Sequence, residues 1–263
     1  MEKDAPKGLR LVEKTVEVLD LLADDGPLSI AQLAERTGEP RSSLYRLIAR
    51  LEQLELVEPT AQRGYYRLGM QLLRWGAATQ SRLDVRDRAL PVLTELRAET
   101  GLTVYLVIPR GTHAVCIERL EGERVASLAL TLGGSLPMHV GAAPRALLAF
   151  DSQEAWSDYV LHEPLATHNE RAVHTAEALF ELLRDERARG VCISDGDVTP
   201  GIAAVGAPVY DHRNRPIAAI SVSGLRDAVL GEGAERIEAL VRSGAESISR
   251  SLGAQPEVIA NPR

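Results

Sequence analysis

Residues 28–54 leave the chain little choice of local fold. Ser29-Ile30-Ala31-Gln32 has the spacing of a capping box: the serine hydroxyl accepts from the third helical amide while the glutamine reaches back. The helix it opens carries Leu33 and Ala34 and stops at Thr37-Gly38. Glu39-Pro40 then restarts the chain, because proline is tolerated in a first helical turn but not inside a helix. In the next helix, which runs to about Leu54, Leu44, Leu47, Ile48 and Leu51 recur at i, i+3, i+4 and i+7 and form a core stripe. Arg41, Ser42, Tyr45, Arg46 and Ala49 fall largely on the other side. Upstream, Val12, Val16, Leu19 and Leu22 repeat at helical spacing until Asp24-Asp25-Gly26-Pro27 ends that helix. Downstream, Val57-Glu58 and Tyr65-Tyr66-Arg67-Leu68 read as two short strands around Thr60-Ala61-Gln62-Arg63-Gly64. Three helices and a basic-tipped hairpin make a winged helix-turn-helix.

The remaining chain changes pattern twice. From Gly69 to about Arg82, Leu72, Leu73 and Trp75 mark a connecting helix, and a second helix from Val85 to Thr100 carries Leu90, Leu93 and Leu96 on one face. Beyond Gly101 come alternating strands at Val104–Ile108, His113–Glu118 and Arg124–Leu130. Helices are expected at Pro144–Phe150, Gln153–Leu161 and Thr175–Arg189. Strands return at Val191–Ser194, Ala203–Tyr210 and Ile217–Ser223, the last two joined by a turn at Asp211–Pro216. A helix from about Glu235 to Leu252 and a loose tail, Gln255–Arg263, finish the chain. Strands grouped around helices on one side indicate an α+β sheet domain. At 263 residues, and roughly 100–200 residues per domain, two domains fit. The boundaries expected are 9–68 for the winged head, 69–83 for the linker helix and 84–254 for the sheet domain.

The net charge of −7 argues against a nucleic-acid partner for the chain as a whole, but charge can be local. Residues 41–67 hold five arginines (Arg41, Arg46, Arg50, Arg63, Arg67) against three glutamates, so the positive charge sits on the third helix and the wing. An arginine at the start of such a helix can grip guanine bidentately or bind phosphate; Ser42 and Ser43 can donate to phosphate, and Arg63 can reach the flank. Tyr45 can stack on the nucleic-acid backbone or complete the head's own packing. The partner expected is double-stranded DNA, read by Arg41, Ser42, Ser43, Tyr45, Arg46 and Arg63.

The head resembles that of the IclR-type transcriptional regulators in Ser29-Ile30-Ala31-Gln32-Leu33-Ala34, in Pro40-Arg41-Ser42-Ser43-Leu44-Tyr45-Arg46-Leu47 and in Tyr66-Arg67-Leu68-Gly69. The likeness continues through Leu136-Pro137-Met138-His139, Ala146-Leu147-Leu148-Ala149, Ala207-Pro208-Val209-Tyr210-Asp211 and Ala219-Ile220-Ser221-Val222-Ser223-Gly224. This resemblance implies a winged-helix head, a linker helix and a GAF-like effector domain, in homodimers, commonly paired into tetramers, that bind double-stranded operator DNA. It implies an effector pocket lined by Gly141, Ala142, Ser194, Ile202, Ala204, Ser221 and Ser223, suited to a small organic or aromatic acid. The residues agree in part. Ser221 and Ser223 are two apart and so share a sheet face, and Gly141 and Ala142 stand at a helix start where free amides favour anions. Pro144-Arg145 stands where many members have Gly-Lys, and Ser194 where some carry a carboxylate.

Catalytic readings do poorly: there is no Gly-x-Ser-x-Gly elbow, Walker loop, His-Glu-x-x-His or Gly-x-Gly-x-x-Gly. His162, His168 and His174 do not have metal-ligand spacing, Asp195-Gly196-Asp197 reads as a turn, and no cofactor is expected. The two cysteines, Cys116 and Cys192, fit a reducing compartment as buried apolar residues. With no 18-residue apolar run and a charged start, a cytoplasmic protein that does not enter the membrane is expected. The favoured reading is a DNA-binding regulator, repressor rather than activator, controlled by a small molecule. The alternatives are a GAF-domain thiol-dependent enzyme using Cys116 with an accessory head, and an interaction scaffold.

Overall fold

Helices α1 (Lys7–Asp24), α2 (Ile30–Thr37) and α3 (Arg41–Gln53) build the head with strands β1 (Leu28–Ser29), β2 (Val57–Pro59) and β3 (Tyr65–Leu68). The structure, a computed structural model, describes residues 7–80, 84–123, 130–165 and 169–254. The expected capping box forms: Gln32 N–H donates to Ser29 Oγ at 3.4 Å and Ser29 N–H to Gln32 Oε1 at 2.9 Å. Gly38 ends α2 in the left-handed conformation, φ 67°. Leu44, Ile48 and Leu51 of α3 bury against Val18, Leu22, Leu28, Ile30, Leu33, Leu56 and Val57. At about 1.5–3 kcal/mol for each large aliphatic side chain, this small core works against the entropy of ordering the three helices.

Two details differ from the sequence reading. The head sheet has three strands in the order β1-β3-β2, because Leu28 and Ser29 pair with Tyr66 and Tyr65. On α1, Val18 and Leu22 face the core while Leu11, Val12 and Val16 are exposed. That helix is apolar on two sides, and spacing alone does not say which side the head covers.

The connecting helix α4 (Met70–Gln80) is tied to the head at its first turn. Gly69 N–H donates to Leu56 O at 2.9 Å and Gln71 N–H to Glu55 O at 3.2 Å. A Cβ at Gly69 would lie 2.2 Å from the Glu55 carbonyl oxygen, so only glycine permits this approach. Gly69→Ala is therefore expected to cost the head about 1–3 kcal/mol, the usual penalty of forced overpacking. Urea denaturation of the full chain checks it, and an unchanged first transition would contradict the contact.

Residues 84–254 form a second unit by themselves. Its sheet comprises β4 (Thr103–Arg110), β5 (His113–Leu120), β6 (Ser135–Pro137), β7 (Cys192–Asp195), β8 (Ile202–Tyr210) and β9 (Pro216–Leu225). The order is β6-β5-β4-β9-β8-β7, antiparallel throughout. Alternation sorts the strand residues. Val104, Leu106, Val205, Ile220 and Val222 meet α5 (Asp84–Thr100), α9 (Arg226–Leu230) and α10 (Ala234–Ser251) on one face. Tyr105, Val107, Cys116 and Ala219 meet α6 (Ala142–Ala149), α7 (Gln153–His162) and α8 (Ala176–Arg189) on the other. Helices thus cover both faces rather than the one side expected, because the segments before and after the strands fold back as α5 and α10. Helix α6 is buried along its whole length. It lies so close to β8 that a Cβ at Gly206 would sit 2.6 Å from the Ala142 carbonyl carbon. The expected strand Arg124–Leu130, apart from Leu130, lies outside the described residues, as do the end of the linker, His168 and the tail.

Candidate nucleic-acid interface and ligand pocket

Helix α3 opens on Pro40 with no side-chain cap, in contrast to α2. Its first amides are therefore without the side-chain acceptor that Ser29 supplies to α2, an arrangement that favours anions. Arg41, Ser42, Tyr45 and Arg46 are exposed, opposite the buried Leu44–Ile48–Leu51 stripe, and Ser43 is half-buried. Tyr45, 59% exposed, stands on the open face rather than in the head's core. Arg63 is exposed at the wing tip beside Gly64. Among the described residues, Arg41, Arg46 and Arg63 have no carboxylate partner, whereas two other arginines of the expected patch are engaged. Arg67 meets Glu58 across the hairpin at 2.6 Å, and Arg50 donates to Gln53 at 2.9 Å. The positive face is narrower than the sequence count suggests.

In the second unit, one cavity of about 50 Å³ lies between α6 and the sheet. Gly141, Ala142, Ser194, Ile202, Ala204, Ser221 and Ser223, drawn from four separate segments, all line it. Tyr105, Leu130, Leu136, Val198 and Thr199 also line it and were not singled out as pocket residues from the sequence. Neither Ser221 nor Ser223 has a hydroxyl partner among the described residues, so both hydroxyls remain able to donate.

One expectation about this wall needs correction. The Gly141 amide is not free for an anion, since it donates to Asp197 Oδ2 at 3.0 Å. The Ser194 hydroxyl donates to the other oxygen of Asp197. A buried ionic network explains both. Arg145, 3% exposed, binds Glu186 through Nε at 3.0 Å and Nη2 at 2.9 Å, and Asp197 through Nη1 at 2.6 Å. Burial raises the Asp197 carboxyl, but the Arg145 guanidinium, the Ser194 hydroxyl and the Gly141 amide outweigh it and hold the pKa below the usual carboxylate value. With Pro144 lacking an N–H, the first-turn amides of Ala142 and Ala143 are the backbone donors left at this helix start. The signal that could have revealed the network is Arg145 itself, the one charge in an otherwise apolar helix.

The thiols belong to the core. Burial pushes Cys116 up to about 12 and Cys192 well above the ordinary thiol value, so both stay protonated and poorly nucleophilic. His162 and His174 are exposed on separate segments. Among the described residues, no group of three His, Cys, Asp or Glu side chains could hold a metal, and no helix is long and apolar enough to cross a membrane.

A winged helix-turn-helix joined to a helix-covered antiparallel sheet with its own cavity defines a class of DNA-binding transcription regulators. Within it, the chain belongs to the IclR family. The family model "IclR helix-turn-helix domain" matches residues 11–61, and "Bacterial transcriptional regulator IclR C-terminal" matches residues 77–250. The chain is 28% identical over 244 residues to the HTH-type transcriptional regulator KipR of Bacillus subtilis, covering 93% of this chain and 97% of that one. Other curated relatives are named as repressors. A solved IclR-type regulator from Alicyclobacillus acidocaldarius superposes with a TM-score of 0.79 at 27% identity, covering 93% of this chain and 99% of that one. The same fold recurs, at TM-score 0.78 and 23% identity, in an IclR homologue from Microbacterium hydrocarbonoxydans complexed with 4-hydroxybenzoate. That likeness covers 92% of this chain and 98% of that one.

Proposed function

We propose that the head, residues 9–68, reads double-stranded operator DNA and that a small organic acid in the sheet-domain cavity controls how tightly it does so. Helix α3 enters the major groove with Arg41, Ser42, Ser43, Tyr45 and Arg46, and Arg63 touches the flank. The observation that carries the reading is the convergence of seven pocket residues from distant segments on one cavity, with two serine hydroxyls unengaged. The 4-hydroxybenzoate complex of a protein with this fold supports an acid as the effector. A cavity of about 50 Å³ is far below the roughly 300–1,000 Å³ of a typical ligand site, so the effector is small or widens the site as it enters. Residues 69–83 act as the linker and 84–254 as a GAF-like effector domain. Exposed Val12 and Val16 on α1, with Met70, Leu73 and Trp75 on α4, suit burial by a second copy in a homodimer, two of which pair as a tetramer. The direction we favour is repression, in the cytoplasm. We place no catalysis on this chain, since both thiols are buried and protonated.

Fluorescence anisotropy of labelled DNA from the protein's own upstream region, against an unrelated fragment and at several salt concentrations, tests the proposal. Selective binding that falls log-linearly with salt is expected. Added 4-hydroxybenzoate, or a shorter aliphatic acid such as propionate, should shift that affinity by the equivalent of about 1–3 kcal/mol. The double replacement Ser221→Ala, Ser223→Ala should abolish most of the shift and leave DNA affinity without ligand unchanged. Equal, weak binding to both fragments would sink the reading.

A further inference from the structure

A second and larger cavity lies away from the effector pocket, where α8 ends beside α10 and the edge of β8. It encloses about 570 Å³, within the range of small-molecule sites. Arg184, Arg187, Arg189 and Arg242 line it, against a single acid, Glu246, which faces Arg250 at 3.8 Å. In a chain of net charge −7 this is a concentrated positive site.

The end of a helix attracts cations, and that accounts for part of the cluster: Arg242 donates to the Arg189 carbonyl at 3.3 Å. It does not account for the rest. Arg184 and Arg189 have no carboxylate partner among the described residues. Arg187 is set rigidly in place: its Nε donates to the Ala149 carbonyl at 2.7 Å, Nη2 binds the Asp151 carbonyl, and the guanidinium lies 4.7 Å from the Trp156 ring centroid. The wall also includes Tyr210, only 4% exposed, whose hydroxyl has no hydrogen-bond partner among the described residues. Burial raises its pKa above the ordinary tyrosine value, so it stays a donor. Guanidinium groups offer forked donors matched to carboxylate and phosphate oxygens, and an oxyanion reaching the floor would give that hydroxyl its acceptor.

We propose that this cleft is a second ligand site, separate from the effector pocket, that binds small molecules carrying two or more oxyanion groups through Arg184, Arg189 and Arg242, with Arg187 as a fixed charge. It gives the sheet domain a separate input for a polycarboxylate or phosphate ester. Isothermal titration of the full chain without DNA tests this, using citrate and inorganic pyrophosphate as probes and acetate as the monoanion control. Saturable binding of citrate, pyrophosphate or both is expected, with acetate much weaker, and the preferred probe tells carboxylate from phosphate chemistry. Arg184→Gln and Arg242→Gln should each weaken binding about tenfold or more, and Arg184→Gln, which breaks no hydrogen bond among the described residues, should leave the melting temperature of the unliganded protein unchanged. Arg236→Gln removes the same charge from α10 outside the cleft and should leave binding intact. No saturable binding of either probe, or equal losses in the Arg236 and Arg242 variants, would overturn the site.

Discussion

Arg145→Met is expected to lower the unfolding free energy of the sheet domain by about 3–5 kcal/mol at pH 7, because it strands Glu186 and Asp197 as buried, uncompensated charges. Urea denaturation of the full chain measures it, and a loss below about 1 kcal/mol would mean that the network is not closed as described. Adding Glu186→Gln and Asp197→Asn should recover part of the loss, since neutral amides no longer need the cation. The pH dependence has a definite sign. Asp197 titrates lower in the folded protein than its unfolded value near 3.8, so its contribution is complete above that value. It is lost as pH falls through the lower folded pKa. In Arg145→Met the main cause of that depression is gone, so the gap between variant and wild type should narrow below about pH 4.

Arg41→Ala is expected to weaken operator binding by about 1–3 kcal/mol if its guanidinium bonds a base, and to relax sequence preference at that one position. Anisotropy with operator variants separates base reading from phosphate contact: a phosphate contact would instead lower affinity evenly and reduce the salt slope by about one. Arg41 has no side-chain partner to lose among the described residues, so the fold should be untouched. Unchanged affinity and preference would remove α3 from the groove.

The head was almost fully legible because its signals are local. The Ser29–Gln32 box, the Gly38 stop and the Leu44–Leu51 stripe each span a few residues, and each recurs in the structure. Strand β1 escaped because two residues carry no alternation. The exposed Val12 and Val16 escaped because periodicity marks apolar faces without saying what covers them. In the sheet domain, Ser221 and Ser223 could be placed on one face by their spacing, and family resemblance supplied the other pocket residues. The ionic network could not be read, since Arg145 meets its partners across 41 and 52 residues and nothing local announces such pairings. Glu186 looks like one more acid on a charged helix, and Asp197 like one more turn residue.

The close seating of α6 on β8 makes the proposed effector pocket a vice with one fixed jaw. No atom can be added at Gly206 without striking the Ala142 backbone, so the helix has no room to travel toward the sheet. Its own far side is packed against buried α7 and α8 residues. The opposite wall includes Val198 and Thr199, next to Asp197, which is latched to Arg145. With the helix fixed, the side chains of Val198 and Thr199 set the size of acid that the proposed pocket can take. Retuning this protein as a sensor for a bulkier acid would start with substitutions at Val198 and Thr199, leaving the helix as it is.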